Sequence, residues 1–223
     1  GQATAVRLAR ERHNLILTGR RGERLEKLKN ELTQRYGCKV HTLCFDVRRR
    51  DEVQAAVEQL PAEWQRIDVL VNNAGIGKKA TIDETDRVQW RSVLETNLVA
   101  VADLARMALP FLRESLGTIV MTNSGAGVRI YPSDAAYCVS KWALKAFTEC
   151  LREQERGRVR VVSLHPGRID TDMQVEMQAQ AGRPYRPEEH MRPEDVARTV
   201  RLALDLPSSM NIDEIHLRTT EKK

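Results

Sequence analysis

Apolar residues along the chain form two alternating patterns, short β-branched runs and longer stretches with helical spacing. The short runs predict six strands, at Leu15 to Leu17, Val40 to Phe45, Val69 to Val71, Thr118 to Met121, Val159 to Leu164 and Ile215 to Leu217. The stretches between them predict helices over 2–11, 22–36, 51–60, 86–115, 135–155 and 194–205. Because continuous apolar strands are buried on both faces, this alternation indicates a doubly wound α/β domain with parallel strands.

Two parts of the chain depart from the alternation. Gly1 leads directly into a helix, although a doubly wound fold needs a strand before it. We therefore expect the recorded sequence to lack the first strand and most of the glycine-rich turn after it. The stretch 172–192, rich in Gln, Arg, Met and Pro, is typical of a small lid inserted over a substrate site. No repeat or linker divides the chain, so a single domain over 1–223 is predicted.

Composition narrows the class of protein. The chain is 41% hydrophobic and 30% charged, which is ordinary for a globular domain. It contains no apolar run near the roughly 18 residues that span a bilayer and no signal-peptide pattern. Its net charge of +5 is dispersed among 31 acidic residues, so we expect neither a nucleic-acid nor a membrane partner. The four cysteines match no metal-ligand spacing, and we expect reduced thiols, no metal and a cytoplasmic location.

The residues after the first predicted strand indicate a phosphate site. In doubly wound folds the dinucleotide lies at the carboxyl ends of the strands, and Gly1 has the position of the last glycine in the pyrophosphate turn. An NAD-binding domain places an acidic residue about 20 positions further on, whereas this chain has Gly19-Arg20-Arg21. Because arginine suits a phosphate, Arg20 and Arg21 are predicted to bind the 2′-phosphate of NADP(H). A solvated basic loop is the alternative.

The end of the second predicted strand carries a carboxylate. Asp46, followed by Val47, is placed to accept a hydrogen bond from the adenine amino group of a dinucleotide. It could equally cap the helix that is predicted to begin near Asp51. Both interpretations put Asp46 at the carboxyl edge of the sheet.

A tyrosine and a lysine four positions apart are the first candidate for chemistry. Tyr137 and Lys141 share one face of a predicted helix. A tyrosine hydroxyl is a poor base near neutrality, and a nearby ammonium lowers its pKa towards that range. Such a pair is more often a surface feature of a helix, so the residues around it determine whether the pair is interpreted as catalytic. Ser124 ends a strand and can donate to a carbonyl oxygen, and Asn97 is an amide within an apolar helix face.

In this order and at these separations, the motifs resemble the short-chain dehydrogenase/reductase family from Gly1 to about residue 220. The motifs are the NNAG turn at 72–75, Asn97, Ser124, YxxxK at 137–141 and PGxxxT at 166–171. The resemblance implies a Rossmann-type fold in which Tyr137 is the general acid/base and Ser124 polarises the substrate oxygen. It implies that Lys141 binds the nicotinamide ribose and that Asn97 positions a water. The implied cofactor cleft is lined by Asn73, Ala74, Gly75, Tyr137, Lys141, Pro166, Gly167, Ile169 and Thr171.

Within that family the chain looks most like NADP-dependent 3-hydroxy acid and serine dehydrogenases and general carbonyl reductases. This implies hydride transfer between NADP(H) and a small alcohol or carbonyl. Arg168, Arg183 and Arg186 are candidates for a substrate carboxylate, and each can equally be solvated. A catalytically idle NADP(H) sensor and a basic interaction protein stay open as alternatives. The helices over 86–115 and 135–155 carry surplus apolar surface, which favours a homodimer or homotetramer.

Overall fold

All six predicted strands form, with ends within a few residues of those expected. The computed structural model describes residues 1–180 and 182–220. Its strands are β1 (Leu15–Gly19), β2 (Val40–Cys44), β3 (Val69–Asn72), β4 (Thr118–Thr122), β5 (Arg160–Pro166) and β6 (Glu214–Leu217). Every pairing is parallel, which confirms the predicted α/β class.

The strands form two sheets rather than the continuous sheet of a doubly wound domain. One sheet pairs β1 with β2, and the other has the order β3-β4-β5-β6. In the doubly wound order 3-2-1-4-5-6, two strands lie on one side of strand 1 and three on the other, whereas the two sheets here have two and four strands.

Helices cover the strands. Among the described residues they are α1 (Gln2–Ala9), α2 (Gly22–Tyr36), α3 (Arg50–Glu58), α4 (Arg87–Leu94), α5 (Ala100–Ser115), α6 (Ala135–Gln154), α7 (Asp172–Gln180) and α8 (Pro193–Leu204). The predicted helical stretch over 86–115 is helical from Arg87 to Ser115, with a π-helical segment, Glu95–Val99, between α4 and α5 that the sequence did not predict. Helix α7 lies in the stretch expected to be irregular. Its apolar residues are spread around the helix, so they give no helical period to detect.

Aliphatic side chains on both faces of β4 and β5 form most of the core. Successive residues of β4 point to opposite faces, with Ile119 against α5 and α6 and Val120 against α8. Val161 and Val162 of β5 divide in the same way. Each fully buried aliphatic side chain contributes about 1.5–3 kcal/mol. The residues that follow β4 and β5 are therefore held by the most deeply packed part of the protein.

An ion pair fixes the far end of α6. Arg113 of α5 donates from Nε and Nη2 to the two carboxylate oxygens of Glu155, over 2.9 and 2.6 Å. The Glu155 side chain is fully buried. The hydrogen bonds from Arg113 are the main cause that lowers the pKa of Glu155 to about 2. This bidentate ion pair anchors α6 at the end opposite to Tyr137.

The described residues also bear on two expectations from composition. None of their helices is long and apolar enough to cross a membrane. Each of the four cysteines carries a free thiol, with Cys38 and Cys138 buried and Cys44 and Cys150 exposed.

Candidate active site

The residues predicted to bind the adenosine end lie together at one edge of the first sheet. Arg20 and Arg21 directly follow β1, and Asp46 and Val47 follow β2. The backbone N–H of Phe45 donates to the carbonyl of Gly19 over 3.0 Å, so the two turns are adjacent. Both arginines are exposed. This edge therefore presents guanidinium groups to any ligand that lies along it.

The Asp46 carboxylate is bound within its own turn. It accepts hydrogen bonds from the guanidinium of Arg48, the shortest over 2.6 Å, and from the backbone N–H of Arg48 over 3.0 Å. The Arg48 side chain is the main cause that lowers the pKa of Asp46 to about 2. The alternative that Asp46 caps a helix is wrong, because α3 begins after Arg49 and has no side-chain cap. Asp46 is an ionised acceptor at the sheet edge.

Tyr137 and Lys141 lie one turn apart on α6, as predicted. Lys141 is buried; its Nζ donates to the carbonyl of Thr122 over 2.9 Å and lies 5.7 Å from the centroid of the Tyr137 ring. Burial raises the pKa of Tyr137, and a hydrogen bond with the Ser124 side chain opposes that rise. Burial also lowers the pKa of Lys141 to about 8. Burial thus opposes the lowering of the tyrosine pKa that is expected from Lys141, and that expectation stays a prediction.

Ser124 begins a short turn directly after β4. Its Oγ accepts from the backbone N–H of Ala126 over 3.1 Å, and its backbone is extended. The fully buried His165 of β5 places Nδ1 3.2 Å from the Ser124 carbonyl and Nε2 2.9 Å from the hydroxyl of Ser163. Burial lowers the pKa of His165, and a carbonyl only accepts, so Nδ1 carries the proton that is donated to Ser124. Sequence analysis missed this support, for which the only signal is the position of His165 at a strand end.

Asn97 occupies the π-helical segment between α4 and α5. Its Oδ1 accepts from the N–H of Ile76 over 2.9 Å. Its Nδ2 donates to the carbonyl of Ile76 over 2.8 Å and to Oγ of Ser140 over 3.0 Å. The side chain is fully buried and joins the turn after β3 to α6. Widened turns of this kind are frequent at functional sites.

The turn after β3 passes directly over this group. The amino nitrogen of Gly1 lies 3.1 Å from Oδ1 of Asn73, which brings two predicted cofactor residues together. A β-carbon at Gly75 would lie 3.4 Å from Oδ1 of Asn97 and 3.8 Å from Nζ of Lys141. A β-carbon at Gly77 would lie 3.2 Å from the ring of Tyr137. The β-carbon at Gly75 would make ordinary contacts, whereas the one at Gly77 would be tight against the ring, so Gly77 is the glycine that lets the backbone approach Tyr137 closely. Gly77 was absent from the predicted set.

The PGxxxT turn is held between β6 and the end of the lid. The N–H of Gly167 donates to the carbonyl of Leu217 over 2.9 Å. Ile169 forms a parallel bridge with Met191, and Oγ1 of the exposed Thr171 donates to the carbonyl of Ile169 over 3.3 Å. These contacts fix the loop between β5 and α7 at the same edge as Ser124.

Two of the three candidate arginines for a substrate carboxylate bind one lid residue. Nη1 of Arg168 lies 3.7 Å from one carboxylate oxygen of Glu189, and Nη1 of Arg186 lies 3.6 Å from the other. Arg183 is exposed. Arg168 and Arg186 are thus paired with Glu189, and Arg183 is exposed, so a role of any of them in binding a substrate carboxylate stays a prediction.

Behind Ser124, three possible metal ligands lie close together. His165, Glu214 and His216 place one ligand atom each within 4.8 Å of one another. The two imidazole rings stack with centroids 4.6 Å apart and an interplanar angle of 15°, so their in-plane lone pairs do not converge. The ammonium of Lys145 lies 2.9 Å from Glu214 and competes for its carboxylate. The cluster therefore acts as a hydrogen-bonded support under β5 and β6.

Comparison with known proteins agrees with this geometry. A family model described as short chain dehydrogenase matches residues 1–182. Sulfoacetaldehyde reductase 2 of Chromohalobacter salexigens is 34% identical over 100% of this chain and 90% of that protein. Serine 3-dehydrogenase of Agrobacterium fabrum is 31% identical over 97% of the chain and 88% of its own length. An NADP-dependent 3-hydroxy acid dehydrogenase of Salmonella typhimurium is 32% identical, with 97% and 89% covered.

The solved structures give the same result. An alcohol dehydrogenase of the archaeon Thermococcus sibiricus, complexed with 5-hydroxy-NADP, superposes with a TM-score of 0.91. It is 29% identical, and the match covers 100% of this chain and 93% of that one. The resemblance stated from the sequence motifs is therefore confirmed. The chain belongs to the short-chain dehydrogenase family of oxidoreductases.

Proposed function

We propose that the protein transfers hydride between NADP(H) and a small alcohol or carbonyl compound, with Tyr137 as the general acid/base. The observation that carries this proposal is the convergence of Ser124, Tyr137, Lys141 and Asn97 at one edge of the sheet. Each comes from a different part of the chain or a different turn, and the side chains of Asn97, Ser124 and Lys141 each make a hydrogen bond to a neighbouring segment or turn. A buried lysine beside a half-buried tyrosine at the edge of a sheet is typical of a functional site.

The residues of the cleft fit a dinucleotide with an adenosine phosphate. Arg20 and Arg21 are exposed at the end of β1, and the nearby Asp46 charge is already paired with Arg48. The backbone can approach a bound dinucleotide closely at Gly1. The further residues that we propose to line the cleft are Val47, Asn73, Ala74, Gly75, Pro166, Gly167, Ile169 and Thr171. When bound, NADP(H) supplies or accepts the hydride. Several solved relatives are complexes with NADP, NADPH or a derivative of NADP, which supports this choice of cofactor.

The chain's own residues move the proton. In carbonyl reduction the hydroxyl of Tyr137 gives its proton to the substrate oxygen, and in alcohol oxidation the phenolate takes it back. The hydroxyl of Ser124 donates a hydrogen bond to the same oxygen and stabilises the charge that develops there. Lys141, whose Nζ donates to the Thr122 carbonyl, is proposed to bind a ribose hydroxyl and to restore the proton to Tyr137 through it. Asn97 holds the turn over this group and positions the water of the relay.

The substrate class is a small hydroxy acid, sulfonate or amino-alcohol compound. Relatives that act on sulfoacetaldehyde, serine and 3-hydroxy acids support this choice. We place the substrate beneath a lid formed by 172–192, within a single domain. The short helix α7 and the Arg168–Glu189 contact give this segment a defined shape.

Self-association of this chain, as a homodimer or homotetramer, is part of the same proposal. One exposed stripe of α6 is apolar, formed by Val139, Trp142, Ala146 and Cys150 at helical spacing. Val99, beside α5, is also exposed. An apolar face that water would otherwise cover favours contact with a second copy.

A turnover panel tests the proposal. Purified protein is offered NADPH or NADH with sulfoacetaldehyde and small keto acids, and NADP⁺ with serine and 3-hydroxy acids. Turnover is expected with the phosphorylated cofactor, and Tyr137→Phe is expected to reduce kcat by at least about 100-fold while NADPH still binds. Tyr131→Phe, at an exposed tyrosine, is the matched control. NADPH binding without turnover of any substrate would instead favour a regulator, and unchanged turnover in Tyr137→Phe would contradict the mechanism.

A further inference from the structure

The turn after β3 is fastened to the start of α6 at a second place. The N–H of Ala80 donates to the carbonyl of Ser133 over 2.8 Å, and the N–H of Ala135 donates to the carbonyl of Ala80 over 3.2 Å. At this bridge the ammonium of Lys79 lies 3.7 Å from Oδ1 of Asp134. Asp134 directly precedes α6 and stands three residues before Tyr137. The contact therefore joins the two segments that enclose the tyrosine.

The carboxylate of Asp134 is unusual for its position. A carboxylate before a helix commonly caps it, but Asp134 makes no side-chain cap. The residue is 9% exposed, and its Oδ1 is buried with no hydrogen-bond partner among the described residues. Burying a charge in this way costs free energy unless a partner compensates it. Lys79, with its side chain 24% exposed, is the cation within reach.

We propose that the Lys79–Asp134 ion pair positions and tunes the reaction centre. It holds the turn 75–80 against the ring of Tyr137, and the charge of Asp134 opposes formation of the tyrosine phenolate. This inference rests on the proposed role of Tyr137 as the acid/base. It assigns Asp134 and Lys79 as positioning residues, since neither contacts the reacting atoms.

The groups around Tyr137 determine whether the loss of a charge from the ion pair raises or lowers the pKa of the tyrosine. Burial is the main cause that raises the pKa of Tyr137; the hydrogen bond with Ser124 lowers it, and the nearby Asp134 carboxylate and the Cys138 side chain raise it further. Lys141 lies beside the ring. Burial also raises the pKa of Asp134, and Lys79 acts against that rise. Removing the Asp134 charge therefore makes the phenolate easier to form, and removing the Lys79 charge makes it harder.

The test is the pH profile of kcat/KM for NADP⁺-linked alcohol oxidation. Asp134→Asn keeps the size of the side chain and is expected to move the ascending limb to lower pH by roughly half to one unit. Lys79→Met is expected to move it to higher pH. Lys78→Met, at the exposed neighbour, is the matched control and is expected to leave the profile in place. Profiles of Asp134→Asn or Lys79→Met that coincide with the parent, or that move the other way, would overturn the proposal.

A second measurement works without turnover. Ultraviolet absorbance follows tyrosinate formation in the protein without cofactor, and subtracting the Tyr137→Phe titration isolates Tyr137 from the other tyrosines. Asp134→Asn is expected to lower this midpoint, and thermal unfolding shows that the variant is folded. If the parent protein turns over no substrate, the proposed function fails, yet the absorbance shift still tests the ion pair. If the parent is active and the midpoint does not move, only the ion-pair proposal fails.

Discussion

A methyl group at Gly127 tests how tightly the turn after β4 is packed against α6. A β-carbon there would lie 2.6 Å from Oδ1 of Asn123 and 2.9 Å from the carbonyl oxygen of Lys141. Ordinary van der Waals contact begins at 3.4 Å, so both neighbours would have to move by about half an ångström or more. Asn123 is buried and accepts from the N–H of Ser124 over 3.0 Å. The added methyl group therefore pushes on the supports of two predicted catalytic residues.

The expected cost follows from that overlap. Overpacking a rigid site costs about 1–3 kcal/mol, and for a chain of this length about 2 kcal/mol lowers Tm by roughly 4–8 °C. Displacing Lys141 and Ser124 is expected to reduce kcat by about tenfold or more, since misplacement by about 1 Å can cost 100-fold. Thermal unfolding followed by circular dichroism measures the first effect, and NADPH consumption measures the second.

Gly125→Ala is the matched control. Its β-carbon would meet only the guanidinium of Arg218, at 3.4 Å, which is the far end of a flexible side chain. Neither glycine has a positive φ, so both substitutions remove the same freedom from the unfolded chain. If Gly127→Ala unfolds at the same temperature as Gly125→Ala and turns over at the parent rate, the packing argument is wrong.

Three further outcomes are expected. Arg20→Glu is expected to lower the NADPH-to-NADH ratio of kcat/KM by at least about tenfold, because it replaces a charge-assisted bond with repulsion; an unchanged ratio would remove Arg20 from the phosphate site. Glu155→Gln is expected to lower the free energy of unfolding by on the order of 2 kcal/mol. Since the pKa of Glu155 is depressed from 4.5 to about 2, that difference is fully present above pH 4.5 and is lost as pH falls through about 2 in acid-unfolding curves. Trp142→Glu is expected to shift the sedimentation profile towards the monomer, and a monomeric parent protein would contradict the proposed self-association.

The order and type of most elements could be predicted from the apolar pattern, because β4 and β5 are buried on both faces and their neighbours are amphipathic helices. The π-helical segment could not, since its extra residue leaves the apolar spacing of α4 and α5 locally intact. Helix α7 could not be predicted either, because its apolar residues define no single face of the helix.

The candidate site also contains residues that could be predicted from the sequence and residues that could not. Tyr137, Lys141, Ser124 and Asn97 stand in motifs whose spacing can be recognised along the chain. His165 and Asp134 act through contacts between segments far apart in sequence or through a burial that the pattern does not reveal. The effect of burial on the pKa values of Tyr137 and Lys141 could not be predicted, because their proximity is visible in a sequence, whereas the desolvation of both groups is not.

The number of residues in the π-helical segment Glu95–Val99 determines both the direction of Asn97 in the site and the face that α5 turns to the core. An α-helix advances about 100° per residue, so deleting one residue there would turn α5 by about that angle relative to α4. The face of α5 that carries Val101, Ala105 and Leu112 would then leave the core, or Asn97 would point away from Ile76. A substitution can change which side chain stands at position 97, but only an insertion or a deletion can change where it points. The number of residues between α4 and α5 therefore sets the direction of the Asn97 amide. A change in that number would also disrupt the packing of α5 against the core.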